Sequence, residues 1–281
     1  MRRRRSASRL TALGLSRAAD LLLGVTALTY AVASGLYFLL LAGRERFSRF
    51  AKPTLAAATL LHLTHFFVVT ANARTCPVDE IHEATSLMAL VAVSIFLFVS
   101  RVKKLEVIGA FVAPQALAAI LAARFVGSPD TVQVKTAVLP LHVTSILLAS
   151  ALFAIASALA ATYLLQEKQL KNKKAGGLLH RLPALDVLDR ASHRFLLAGF
   201  PLLTIGILTG LLWVGHVSGG GFGTVRQILA YTAWVLFAAV LLMRSAGGWR
   251  GRRAAWGTIL GFACAFLVYL VYLVRNVNGA G

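Results

Sequence analysis

The chain alternates long apolar runs with short, mostly basic connections. Windows of roughly 20 apolar residues, the length a helix needs to cross a bilayer, fall at 20–43, 54–73, 85–101, 105–124, 136–165, 195–215, 227–243 and 254–274. The pattern predicts an all-α polytopic membrane protein with about eight transmembrane helices. No connection is large enough to fold separately, so residues 1–281 read as a single integral-membrane domain. The fifth run is the most distinctive. Thr136 to Leu165 contains no charged residue and one histidine, His142, and then passes into the lysine-rich QEKQLKNKK. It predicts a long, tilted helix that projects from the membrane at its second end. The longest connection is expected at 166–193, a basic loop with an amphipathic stretch in LLHRLPALDVLDRASHR.

Composition agrees with the pattern: 58% of residues are hydrophobic and only 14% are charged. A net charge of +19 could suggest nucleic acid. The basic residues sit between apolar runs, where orientation signals belong, so no nucleic-acid partner is expected and membrane lipid is. Cys76 and Cys264 are far apart and form no CxxC, which excludes a thioredoxin-like motif. MRRRRSASRL precedes an apolar run too long for a signal-peptide core, so no cleaved leader is expected. GGGFG at 219–223 lacks a preceding strand and a phosphate-loop lysine. There is no HExxH, no nucleophile–base arrangement and no paired intramembrane carboxylate, so no enzyme activity of its own is expected.

Eighteen lysines and arginines fall on the connections after spans 1, 3, 5 and 7, and four on those after spans 2, 4 and 6. The first set is expected on the cytoplasmic side of a bacterial inner membrane, with both termini outside. The amino-terminal Arg2, Arg3, Arg4, Arg5, Arg9 and Arg17 run against this placement. In that orientation His65 lies eight residues before the outer end of span 2, and His142 six residues after the outer start of span 5. At ~1.5 Å per residue both sit roughly 9–12 Å below the outer surface. Two imidazoles at matched depth suit the axial ligands of one haem, another metal site, a proton path, or hydrogen bonds within the bundle. His62 lies one turn deeper, without a matched partner, and a purely structural role is expected for it. His82 and His216 are expected in outer loops, and His180 and His193 in the basic inner loop.

Three stretches resemble the cytochrome c assembly proteins of the CcsA/HemX type. They are LHVTSILLASALFAIASALAATYLLQEKQLKNKK at 141–174, LPALDVLDRASHRFLLAGFPLLTIGILTGLLW at 182–213, and AWVLFAAVLLMRSAGGWRGRRAAWGTILGF at 233–262. The most specific parts are TGLLW and the basic GWRGRR turn, and the best match covers 136–275. The resemblance implies a multi-span protein that handles haem at the outer face of the membrane. Its outer haem-ligating histidine falls on His142, and the nearest counterpart of an earlier intramembrane histidine is His65. The chain departs from the pattern in three places. VGHVSGGGFGTV stands where a tryptophan-rich WGxxWxWD loop should follow Trp213, Leu242 stands where span 7 should end in a histidine, and the tail after span 8 has none.

The resemblance thus implies a membrane haem-binding protein of cytochrome c assembly. A non-covalent b-type haem would be held on His142 and His65 as axial iron ligands. Other assembly proteins or apocytochrome c would be the partners. Two other readings are a non-catalytic accessory or regulatory membrane protein using the basic inner loop, and a small-solute or metal transporter.

Overall fold

The computed structural model describes residues 2–42, 44–73, 81–102, 108–125, 138–172, 182–217 and 225–277. Among the described residues the chain is all-helical. The helices are α1 (Arg2–Leu41), α2 (Ser48–Ala73), α3 (Ile81–Val102), α4 (Gly109–Phe125), α5 (Val138–Lys171), α6 (Leu185–Val217), α7 (Val225–Ser245) and α8 (Arg252–Val277). A short 3-10 turn, Glu45–Phe47, joins α1 to α2. Among the described residues, five helices are long and apolar enough to cross a membrane: α1, α2, α5, α6 and α7. Described stretches of α3 and α4, Ser86–Arg101 and Gly109–Leu121, are equally apolar but shorter. The protein is therefore a polytopic all-α membrane protein. Residues 74–80, His180 and the glycine-rich 218–224 lie outside the described residues.

Helix α5 is the hub, packing on α6 most extensively and also on α3 and α8. Between helices the bilayer offers little hydrophobic driving force, so close backbone approach and van der Waals fit must hold the bundle. The sequence of α5 supplies this with small residues: Ala149, Ala151, Ala156, Ala158 and Ala160 are all buried. On α6, Gly199, Gly206 and Gly210 face α5; a Cβ at Gly199 would stand 2.6 Å from Phe153. Ser192 Oγ donates to the Ala156 carbonyl at 3.0 Å, which pins the antiparallel register. Phe153 in turn stacks on Phe237 of α7, with ring centroids 4.0 Å apart. Around this hub, α1 to α4 pack about Tyr30, Tyr37, Leu55, Phe96 and Ile108.

One boundary differs from the sequence expectation. Residues 166–193 are not one loop. Helix α5 continues to Lys171 and α6 begins at Leu185, so most of the amphipathic stretch is helix. The charged ends stay helical through pairs one turn apart, Lys171 with Glu167 at 2.7 Å and Arg190 with Asp186. His193 consequently lies on α6 rather than in a basic loop, and the backbone at His82 and His216 belongs to α3 and α6 rather than to outer loops.

At the end of the bundle that carries the basic connections, Asp189 of α6 joins three elements. Its carboxylate accepts both Arg244 guanidinium nitrogens of α7 at 2.9 Å and the Gly251 backbone N–H at 3.1 Å. Gly251 has φ +67°, and a Cβ there would crowd the Tyr163 hydroxyl of α5 at 2.5 Å. The GWRGRR turn is thus held by an acid 62 residues earlier in the chain.

The predicted orientation has a direct test. Cysteines placed at Lys171 and Ser218 are expected to be labelled from opposite sides, position 218 from outside and position 171 only after the membrane is opened. Labelling of position 171 in intact cells would reverse the topology. Changing Lys171, Lys173 and Lys174 to glutamine is expected to disturb orientation while leaving the far end of the bundle unchanged.

Candidate functional site

His142 sits in the second turn of α5, and its imidazole leans onto α6. Nδ1 lies 2.6 Å from the carbonyl oxygen of Gly206. A carbonyl only accepts, so Nδ1 carries the proton, and in the neutral ring Nε2 keeps its lone pair. The seat exists because α6 presents bare backbone. A Cβ on Gly210 would stand 2.7 Å from His142 Cε1 and 3.0 Å from Nδ1. A Cβ on Gly206 would crowd Ile146 instead. Thr209 Oγ1 also reaches the Gly206 oxygen, at 3.0 Å.

Tyr30, His62 and Ser86 form a buried chain across α1, α2 and α3. The Tyr30 hydroxyl contacts His62 Nδ1 at 3.2 Å, and Ser86 Oγ contacts Nε2 at 2.7 Å. His62 is fully buried, and its ring packs edge-on to Tyr30. Both ring nitrogens are engaged, which is how a buried imidazole is satisfied in a helix bundle. Replacing His62 with alanine removes a buried partner from both Tyr30 and Ser86 and is expected to destabilise the protein by about 1–3 kcal/mol. Thermal unfolding checks this, and an unchanged midpoint would contradict it.

His65, one turn further along α2, is half-buried, and its Nδ1 is buried without a hydrogen-bond partner among the described residues. Asp20 of α1 is near enough to act on it electrostatically. Helix α3 serves as a ruler between the two histidines. Ser86 bonds His62 of α2, while the adjacent Leu87 and Met88 pack on Leu147 of α5. His65 and His142 therefore stand at about the same level of the bundle. Helices α2 and α5 each pack on α3.

The available nitrogens are thus His142 Nε2, set by its tautomer, and His65 Nδ1, an orphaned buried atom. This is a donor set for an ion that brings most of its own ligands. Among the described residues, no three His, Cys, Asp or Glu side chains cluster as a free metal ion would require. A porphyrin iron needs only one or two protein ligands, and imidazole nitrogen is a suitable one. His142 Nε2 fits such a group as one protein ligand.

Gly206 and Gly210 were not legible as site residues from charge or side-chain chemistry, since they act through backbone. A signal was nonetheless there: GILTG at 206–210 is a small-xxx-small step of the kind that brings membrane helices together. Trp234 also ties helices together. Its indole donates to Thr204 Oγ1 at 2.9 Å and stacks at a tilt on Phe200, tying α7 to α6.

Comparison with known proteins agrees with this architecture. The family model described as cytochrome C assembly protein matches residues 47–277. The cytochrome c biogenesis protein CcsA of Synechococcus sp. (strain RCC307) is 28% identical over 95% of this chain and 96% of its own length. CcsA of Picosynechococcus sp. (strain ATCC 27264 / PCC 7002 / PR-6) is 39% identical over 36% of this chain, but over only 29% of its own length. CcsA of Cyanophora paradoxa is 38% identical over 34% and 29% respectively. A solved structure, named cytochrome c haem lyase CcmF, superposes with a TM-score of 0.63 over 93% of this chain at 16% identity. That likeness is one of fold, and the chain spans half the length of that protein. It corrects the expectation of no enzyme activity. A bundle of this fold occurs within a protein named a lyase, so the lack of nucleophile–base and HExxH motifs does not exclude catalysis.

Proposed function

The chain belongs to the cytochrome c assembly protein family, which puts its role in cytochrome c assembly, and from that premise we propose that it handles haem there, with His142 and His65 as the iron ligands. The observation that carries the proposal is the His142 seat. An imidazole whose Nδ1–H is fixed on the Gly206 carbonyl is oriented, set in one tautomer, and ready to ligate through Nε2. His65 supplies the orphaned Nδ1 at the same level, one helix away. When bound, a non-covalent b-type haem supplies the macrocycle that assembly must deliver. The chain's own part is to fix two imidazoles, exclude water among apolar helices, and hold the group at the end of the bundle away from the basic connections.

The compartment we propose is a bacterial inner membrane, with the two histidines in its outer half. Apocytochrome c and other assembly proteins are the partners this location suits. The proposal includes participation in haem attachment, in line with the lyase of like fold. Among the described residues no ion-binding cluster supports the metal-transport reading.

The test is a spectral titration. The detergent-purified full chain, given haem as hemin, is expected to develop a six-coordinate low-spin spectrum. A protein that purifies haem-free from haem-replete membranes and binds no added hemin would overturn the proposal.

A further inference from the structure

We infer that Gly206 and Gly210 are the positioning residues of the His142 site, selecting which imidazole nitrogen it presents. The inference rests on the haem reading for its consequence but not for its test. Three observations carry it. The ring lies against the bare backbone of Gly210, where a methyl group would overlap Cε1 and press on Nδ1. The Gly206 oxygen is reached by Nδ1 at 2.6 Å, across a helix interface that only small residues permit. The two glycines are four residues apart, so one face of α6 supplies both the space and the acceptor.

The contacts separate the two roles. An added Cβ at position 206 meets Ile146, so its harm is a packing clash that a smaller residue 146 relieves. An added Cβ at position 210 meets the imidazole itself, so trimming Ile146 does nothing for it. Gly210→Ala must rotate the ring off its seat and break the Nδ1–H···O=C bond. With that bond gone, the proton is free to move to Nε2, and the ligating lone pair is lost from that nitrogen. Outer-shell partners of a metal-ligating histidine typically change affinity by 10–100-fold. A loss of hemin affinity of roughly tenfold or more is therefore expected for Gly210→Ala.

The deciding measurement needs no haem. In the full chain labelled with 15N-histidine, the His142 signals are identified by their absence from His142→Ala. Wild type is expected to show a protonated Nδ1 and an unprotonated Nε2. Gly210→Ala is expected to lose that tautomer, alone and combined with Ile146→Ala, whereas Gly206→Ala with Ile146→Ala is expected to keep it. Wild-type His142 protonated on Nε2 would overturn the inference without any variant having to fold. So would a folded Gly210→Ala protein with the wild-type tautomer. A protein that binds no hemin yet shows the expected tautomers would sink the haem reading and leave the seat standing.

Discussion

Replacing Asp189 with alanine is expected to lower stability by about 3–5 kcal/mol, the usual cost of stripping one partner from a buried ion pair. The Asp189 and Arg244 side chains are only 12% and 9% exposed, and the pair is bidentate. Alanine would leave a guanidinium facing the α6–α7 seam without its counter-charge and leave the Gly251 N–H without the carboxylate. Asp189→Asn keeps one acceptor and should lose less. The contrast that tests the mechanism is a charge-free pair, Asp189→Leu with Arg244→Met. Packed apolar replacements of buried ion pairs are often neutral, so the double variant should recover most of the loss. Thermal unfolding in detergent measures all of these. A double variant no better than Asp189→Ala would mean that the charges themselves are required.

The second large effect is expected at His142. His142→Ala removes an imidazole whose tautomer and direction are fixed by a neighbouring helix. Most of the haem should be lost, because the ring cannot be replaced by another side chain of α5 at that level. His65→Ala should act differently, leaving one ligand in place and changing the coordination state rather than abolishing binding. His62→Ala should cost stability and leave the haem spectrum largely alone, since both its nitrogens are already spent on Tyr30 and Ser86. The three variants therefore separate ligand, second ligand and scaffold.

Much of this architecture was legible because a bilayer imposes a simple rule. Apolar runs of sufficient length become helices, and the uncharged stretch ending at Leu165 announced α5 as the dominant one. The misreading of 166–193 has a physical cause. Hydropathy reports which residues avoid water, not which are helical, and α5 and α6 both continue past their apolar segments on charged pairs such as Glu167 with Lys171. The matched depth expected for His65 and His142 rests on counting residues, since helical rise is constant. Their surroundings did not follow. The acceptor for His142 is a backbone oxygen, and the space for its ring is the absence of a side chain, so no residue type advertised either. The Asp189–Arg244 pair was equally hidden, because its members are 55 residues apart and each reads alone as a span-end charge.

The central claim is that two imidazoles from α2 and α5 ligate one haem iron. The ferric electron paramagnetic resonance spectrum of protein purified from haem-replete membranes tests it most directly, taken for wild type beside His65→Ala and His142→Ala. Two neutral imidazoles predict a low-spin signal in wild type. High-spin iron is predicted in His65→Ala, and little iron signal in His142→Ala. A wild-type sample without haem, or a low-spin signal that survives both substitutions, would contradict the account.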